Sequence, residues 1–307
     1  MSRCTIYASD EDRLRGIFYV ALAALLWSTG GAFIKSVELD AFQTSFWRSL
    51  FATLTIAAIT KPRHLTLNTD TLLTSLAYSA TLMFFVAGTK LTTAANAILL
   101  QYAAPIYILL LAHFLLKESM NRAQVITVFF CVIGMAIFFL DQLSPQGYLG
   151  NIFAALSGVA FAVMTVMLRK QRHADPTQSI FLGNLWIVLI TAFILITQSL
   201  SHPKGALHPD VYLGFAISTA DSIIVAFLGI FQIGIPYLLF TRGIRALRAV
   251  DAALIGMLEP VLNPVWAFLI VGEVPSMYAF IGGAIIIVAV FVQNVWVLRV
   301  QQSQNAA

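Results

Sequence analysis

The costliest side chain in this sequence is Glu259, a carboxylate inside the long apolar run 249–271. A charge near a bilayer centre costs a few kcal/mol on insertion scales, so it must face an interior and find a partner. Two chemistries fit it: contact with a substrate ammonium or proton coupling, and a structural carboxyl hydrogen-bonded beside Pro260 and Pro264, which free carbonyls one turn earlier. Arg48 is the one basic residue inside an apolar segment. It can neutralise a carboxylate substrate, pair with Glu259, or snorkel to the headgroups. Trp27-Ser28 lies mid-way along the first apolar run, where an indole lines a cavity or packs a bundle, since the default place for tryptophan is the interface. Further candidates for substrate contact are Gln101, Asn184 and Asn263 and, more weakly, Tyr102, Trp186, Gln232 and Tyr237; Tyr78 and Trp266 are weak ones of the same kind. The histidines show no metal-ligand spacing on one helical face, and no Ser/His/Asp set or phosphate-cradling glycine loop can be assembled, so neither a metal nor another cofactor is expected.

The elements that must carry these residues follow from composition. Of 307 residues, 59% are hydrophobic and 10% charged, and the mean hydropathy is +0.86. A soluble domain has about 25% charged residues, so the solvent for most of this chain is lipid. Ten apolar segments can be marked, near 16–35, 42–60, 70–89, 92–116, 122–140, 148–168, 178–199, 222–241, 249–271 and 277–297. In hydrocarbon each must be a helix, because every backbone polar group needs a partner within its segment. Val211 to Ala220 is too short to span and reads as a surface or re-entrant piece. Cys4 and Cys131 do not suggest a disulfide framework. The net charge of +4 is scattered and gives no nucleic-acid signal.

The basic residues orient the chain. Of 18 lysines and arginines, fourteen fall on the side of the N-terminus, only Lys35, Lys90 and Lys204 on the other, and Arg48 within a span. The excess marks the cytoplasmic side, with both termini there.

The sequence also repeats itself. At an offset of 155 residues, Ala97 falls on Ala252, Leu99 on Leu254, Pro105 on Pro260 and Glu118 on Glu273. The divisions expected are a tail 1–15, a first five-helix repeat 16–140, a linker 141–147, a second repeat 148–297 and a tail 298–307. An odd number of helices per copy inverts the second copy relative to the first. The expected fold is therefore an all-α integral membrane protein with ten transmembrane helices as two inverted five-helix repeats. In such architectures the substrate site lies at the repeat interface and access alternates. On 249–271 the residues Ala249, Ala252, Gly256, Glu259 and Asn263 share one helical face at spacings of three and four.

Trp27-Ser28, Arg48, Ala103-Ala104-Pro105 with Glu118, and Leu258-Glu259-Pro260 with Gly272-Glu273 together resemble the EamA family of the drug/metabolite transporter superfamily. The similarity runs from about 16 to 297. The resemblance implies a carrier in a bacterial inner membrane with two inverted repeats around a central cavity, exporting or importing small molecules. One departure is that the first copy ends Leu116-Lys117-Glu118 where the family commonly has Gly-Glu. The expected function is a secondary transporter, an exporter of small metabolites such as amino acids, with the bilayer and a small-molecule substrate as its partners. The rival is a membrane enzyme acting on a lipid or isoprenoid.

Overall fold

The computed structural model describes residues 10–62, 65–140, 147–201, 214–271, 274 and 276–305. These form helices joined by short connections. Among the described residues six helical stretches are long and apolar enough to cross a membrane: Thr69–Leu91, Asn96–Leu116, Tyr148–Lys170, Thr177–Leu200, Thr219–Ala246 and Met277–Val297. Arg122–Phe138 is a shorter apolar helix. Two expected spans fall outside this group because of what they carry. Asp10–Trp27 (α1) begins with Asp10, Glu11, Asp12, Arg13 and Arg15, and Ala41–Thr60 (α3) is diluted by Gln43, Arg48, two serines and four threonines.

Four of the expected rods are interrupted. The first is broken at Ser28-Thr29 into α1 and α2 (Gly30–Ser36), with the Ser28 hydroxyl turned back onto the Leu25 carbonyl (2.6 Å). Segment 92–116 splits at Tyr102-Ala103 into α5 (Ala94–Gln101) and α6 (Ala104–Leu116), and 249–271 splits at Met257 into α12 (Ala249–Gly256) and α13 (Leu258–Val271). Prolines cause both breaks. Pro105 has no N–H for the Gln101 carbonyl four residues earlier, and Pro260 none for that of Gly256. The single face expected from Ala249 to Asn263 is therefore not continuous: the break at Met257 separates Ala249, Ala252 and Gly256 from Glu259. The fourth interruption is a π-helical stretch, Leu228–Gly234, between α10 (Thr219–Phe227) and α11 (Ile235–Ala246). Pro236 begins just after it, and Ile235 N–H reaches back five residues to Ile230. Such π insertions recur at functional sites.

The remaining elements are α4 (Thr69–Leu91), α7 (Arg122–Phe138), α8 (Tyr148–Lys170), α9 (Thr177–Ser201) and α14 (Met277–Asn305). Element boundaries recur at the sequence offset. Adding 155 to both boundaries of α5 gives those of α12; the C-terminal boundaries of α4 and α6 give those of α11 and α13, and the start of α7 gives that of α14. Packing is reciprocal as well. α8 lies against α4, α5 and α6, whereas α1 lies against α11, α12 and α13; α3 packs on α9 and α7 on α14.

Burial is arranged for lipid. Phe114, Phe193, Leu200 and Phe291 are largely exposed on the outside, while Arg48, Asn184, Gln232 and Asp251 are buried. Glycines let the helices approach closely where the core needs it. A Cβ at Gly158 of α8 would lie 2.9 Å from the Gln101 carbonyl, the one left free by Pro105.

Candidate functional site

Arg13, Asp70, Glu118, Arg169, Lys170, Asp175, Arg245, Arg248 and Asp251 gather where α1 begins. The ion pairs found among the described residues lie on this face. Glu118 takes Arg169 at 3.3 Å and Arg248 at 3.7 Å, while Arg169 also donates to the Ile244 carbonyl at 3.0 Å. Glu118 is thus an anchor between α6, α8 and α11. Its expected counterpart Glu273 lies outside the described residues, as do Gly272 and Cys4. Asp251, at the start of α12, binds Arg13 at 3.4 Å and accepts from Gln124 at 3.0 Å and Gln293 at 3.5 Å. Its counterpart at the offset, Asn96 on α5, is buried at the opposite face. There it donates to Thr92 (3.2 Å) and Asn151 (3.1 Å). Lys35 and Lys90 on that face donate to the Thr92 and Val37 carbonyls (2.7 and 2.8 Å).

Between the two faces lies a cavity. It leaves about 430 Å³ unfilled by atoms, of which about 30 Å³ can take the centre of a water molecule. That is room for about two waters. Seven of the eleven candidates line it: Trp27 from α1, Arg48 from α3, Gln101 and Tyr102 from the α5–α6 break, Gln232 from the π-helical stretch, Tyr237 from α11 and Glu259 from the start of α13. Leu82, Phe85, Phe161 and Ile233 complete the wall and were not foreseen. Their signal was absent because single apolar residues within apolar helices look alike in sequence.

The two proline breaks meet here. The Tyr102 hydroxyl donates to Glu259 and also lies 3.3 Å from the Gly256 carbonyl, the one that Pro260 deprives of its helical donor. One phenol therefore ties the two interrupted helices together. The Gln101 side chain donates to Ser157 of α8 at 2.9 Å, and Ser157 in turn to the Thr81 carbonyl at 2.9 Å. Trp27 stacks against Tyr237 (ring centroids 4.9 Å) and Phe240 (5.3 Å), and Tyr78 meets Tyr237 at 4.7 Å.

Three candidates are not on its wall. Ser28 accepts the Trp266 indole N–H at 2.7 Å. Asn184 donates to the Tyr78 hydroxyl at 2.8 Å and so stands behind the aromatic wall. Trp186 has a buried indole nitrogen with no partner. The side chain of Asn263 lies outside the described residues.

Arg48 is 1% exposed and faces inward, which removes the snorkelling alternative. Pairing with Glu259 is not found either: among the described residues no carboxylate lies within ion-pair distance of its guanidinium, and Nε and Nη1 have no hydrogen-bond partner. Leaving a buried charge without its counterpart costs about 3–5 kcal/mol. A Cβ at Gly229 of the π-helical stretch would lie 2.5 Å from the Arg48 carbonyl, so this glycine lets the stretch press onto α3 beside the arginine.

The comparisons with known proteins agree with this architecture. The family model described as the EamA-like transporter family matches two consecutive stretches, 14–140 and 148–295. The chain belongs to the EamA-like transporter family. It is 25% identical over 276 residues to an uncharacterized transporter of Archaeoglobus fulgidus, covering 89% of this chain and 94% of the relative. The human solute carrier family 35 member G1 is 22% identical, with 89% of this chain and 77% of that protein covered. The biotin transporter of Escherichia coli K12 is 25% identical over 70% of this chain and 69% of that one. A crystal structure superposes with a TM-score of 0.76 over 95% of this chain and 99% of the other, at 19% identity, a likeness of fold. This EamA-family chain is thus a multi-pass membrane transporter and not an enzyme.

Proposed function

We propose that this chain is a secondary transporter, an exporter of small metabolites such as amino acids, that works by alternating access. In this reading the helices form ten spans as two inverted five-helix repeats, 16–140 and 148–297, in a bacterial inner membrane with both termini in the cytoplasm. The observation that carries it is the cavity at the meeting of the two proline breaks. It mixes charged, amide and aromatic side chains, is narrow, and is set among helices of both copies, where a rocking motion of one against the other would widen it. Trp27, Arg48, Gln101, Tyr102, Gln232, Tyr237 and Glu259 would contact the solute, with Ser28, Asn184 and Trp186 behind them. Glu259 would carry the coupling proton, since it is the carboxylate on the cavity wall and the Tyr102 hydroxyl donates to it.

The basic cluster at the face where α1 begins supports the cytoplasmic assignment of that face. The test is uptake into proteoliposomes of a labelled panel including amino acids and biotin, with and without an imposed pH gradient, for wild type and Glu259→Gln. Gradient-driven accumulation by the wild type, with exchange alone retained by the variant, is the expected result. Full gradient-driven accumulation by the variant would move the proton elsewhere. Absence of any transport across a broad panel would sink the reading.

A further inference from the structure

We infer that the cavity recognises a solute through a single carboxylate, and that Arg48 is the residue that binds it. The inference rests on the reading of the cavity as a transport site and adds the charge of the cargo. Arg48 is fully buried, so the headgroups cannot serve it, and two of its donor nitrogens are unpartnered. Arginine does not escape burial by losing its proton, as a lysine would. Its usual counterpart is a carboxylate, whose planar pair of oxygens matches the guanidinium fork. Among the described residues the fold offers none: Glu259, on the same wall, is held by the Tyr102 hydroxyl. The partner has to come from outside.

Two more atoms on this wall await a ligand. The Trp27 indole N–H has no acceptor, and the buried end of the Gln232 amide has no partner. An oxygen of the incoming carboxylate can take the indole N–H, and a second polar group on the solute can satisfy the amide. The rest of the wall, Phe85, Phe161 and Tyr237, suits an apolar body. The number of charges is limited as well. One guanidinium neutralises one negative charge, and a dianion would place its second charge in a desolvated space shared with Glu259. The fit is to a monocarboxylate, free or as part of a zwitterion, and not to a dicarboxylate or a phosphate ester.

The experiment uses the purified full chain in detergent micelles and follows its thermal unfolding with a matched panel. Benzoate, phenylalanine and biotin stand against benzamide, phenylalaninamide and benzylamine, with succinate, phosphate and chloride as anion controls. Wild type and Arg48→Gln are compared, with binding constants taken from the concentration dependence of the shift. At least one monocarboxylate is expected to raise the melting temperature while its amide does not, and Arg48→Gln to weaken it about tenfold or more. The ligand-free variant is expected to melt no lower than wild type, because it loses a charge that the fold leaves unpaired. A clearly lower melting temperature for ligand-free Arg48→Gln would make the arginine structural and overturn the inference. Amides binding as well as acids, chloride or phosphate replacing the carboxylate, or no carboxylate-dependent shift across the panel would each do the same. Failures separate cleanly from those of the transport reading. If vesicles move solutes without regard to the carboxylate, transport stands and this inference falls. If carboxylates bind through Arg48 but vesicles transport nothing, the site stands and transport falls.

Discussion

Arg13 and Arg48 are both arginines buried in the same bundle, and the fold treats them differently. Arg13 reaches Asp251 at 3.4 Å and Asn294 at 3.5 Å, and the other oxygen of Asp251 is filled by Gln124 and Gln293. Of its nitrogens only Nε is left without a partner. Arg48 is equally enclosed yet, among the described residues, meets no carboxylate. A buried charge supplied with partners by its own chain is part of the scaffold. A buried charge without them destabilises the resting protein and becomes tolerable only if something else completes it, which is why the second arginine and not the first points to cargo.

The largest effect should come from breaking the satisfied site. Asp251→Ala leaves Arg13 enclosed and unpaired and is expected to cost about 3–5 kcal/mol, read as a drop in the unfolding midpoint in detergent. The double change Arg13→Met with Asp251→Leu should recover most of that loss, because apolar replacement of a whole buried pair is often neutral or better. If Asp251→Ala alone were harmless, the contrast between the two arginines would lose its meaning.

Smaller losses are expected where the partners are neutral. Asn96, the counterpart of Asp251, ties the opposite face together through Thr92 and Asn151. Asn96→Ala should cost about 1–3 kcal/mol, less than Asp251→Ala, in the same unfolding assay. The outcome sharpens the comparison of the faces: an equal loss at both would mean that the ionic charge adds nothing to closure at the face where α1 begins. Tyr102→Phe removes the donor that Glu259 and the Gly256 carbonyl share. It should lower stability by about 1–3 kcal/mol and lower gradient-driven transport more than solute exchange.

How much of this could be read beforehand depends on the residue type. Polar residues inside apolar runs announced themselves: Arg48, Gln101, Gln232 and Glu259 stand out because lipid-spanning runs seldom tolerate them, and they do share one cavity. The matching positions at an offset of 155 were legible because prolines are informative in apolar runs, and Pro105 and Pro260 mark the two helix breaks. Their structural effect was underread. Helical spacing alone continued Gly256 into Glu259 along one face, whereas the proline interrupts the helix between them. Tertiary pairings were beyond reach. Nothing local in the sequence says that Glu118 would meet Arg169 and Arg248, or that Arg48 would meet no acid among the described residues. Phe85 and Phe161 were invisible for the opposite reason: phenylalanine faces lipid, core or cavity with the same sequence signature.

The smallest effect tests the departure from the family pattern at the end of α6. Lys117 closes that helix with φ +54°, a left-handed conformation that favours glycine, and its N–H returns to the Ala112 carbonyl. Glu118 N–H reaches the same carbonyl at 3.2 Å, and its carboxylate then meets Arg169 and Arg248. The glycine common in the family thus answers to backbone geometry, while the glutamate after it answers to the arginines. A β-carbon in this conformation costs about 1–2 kcal/mol, partly offset because glycine makes the unfolded chain more flexible. Lys117→Gly is therefore expected to raise stability by up to about 1 kcal/mol, seen as a small rise in the unfolding midpoint, with transport unchanged. A fall instead would mean that the Lys117 side chain contributes something at this face that its backbone position does not reveal. Glu118→Gln keeps the turn and removes the charge, so it should weaken the face in spite of an intact cap. The two substitutions, one residue apart and opposite in sign, separate the geometry that ends the helix from the charge that holds it to its neighbours.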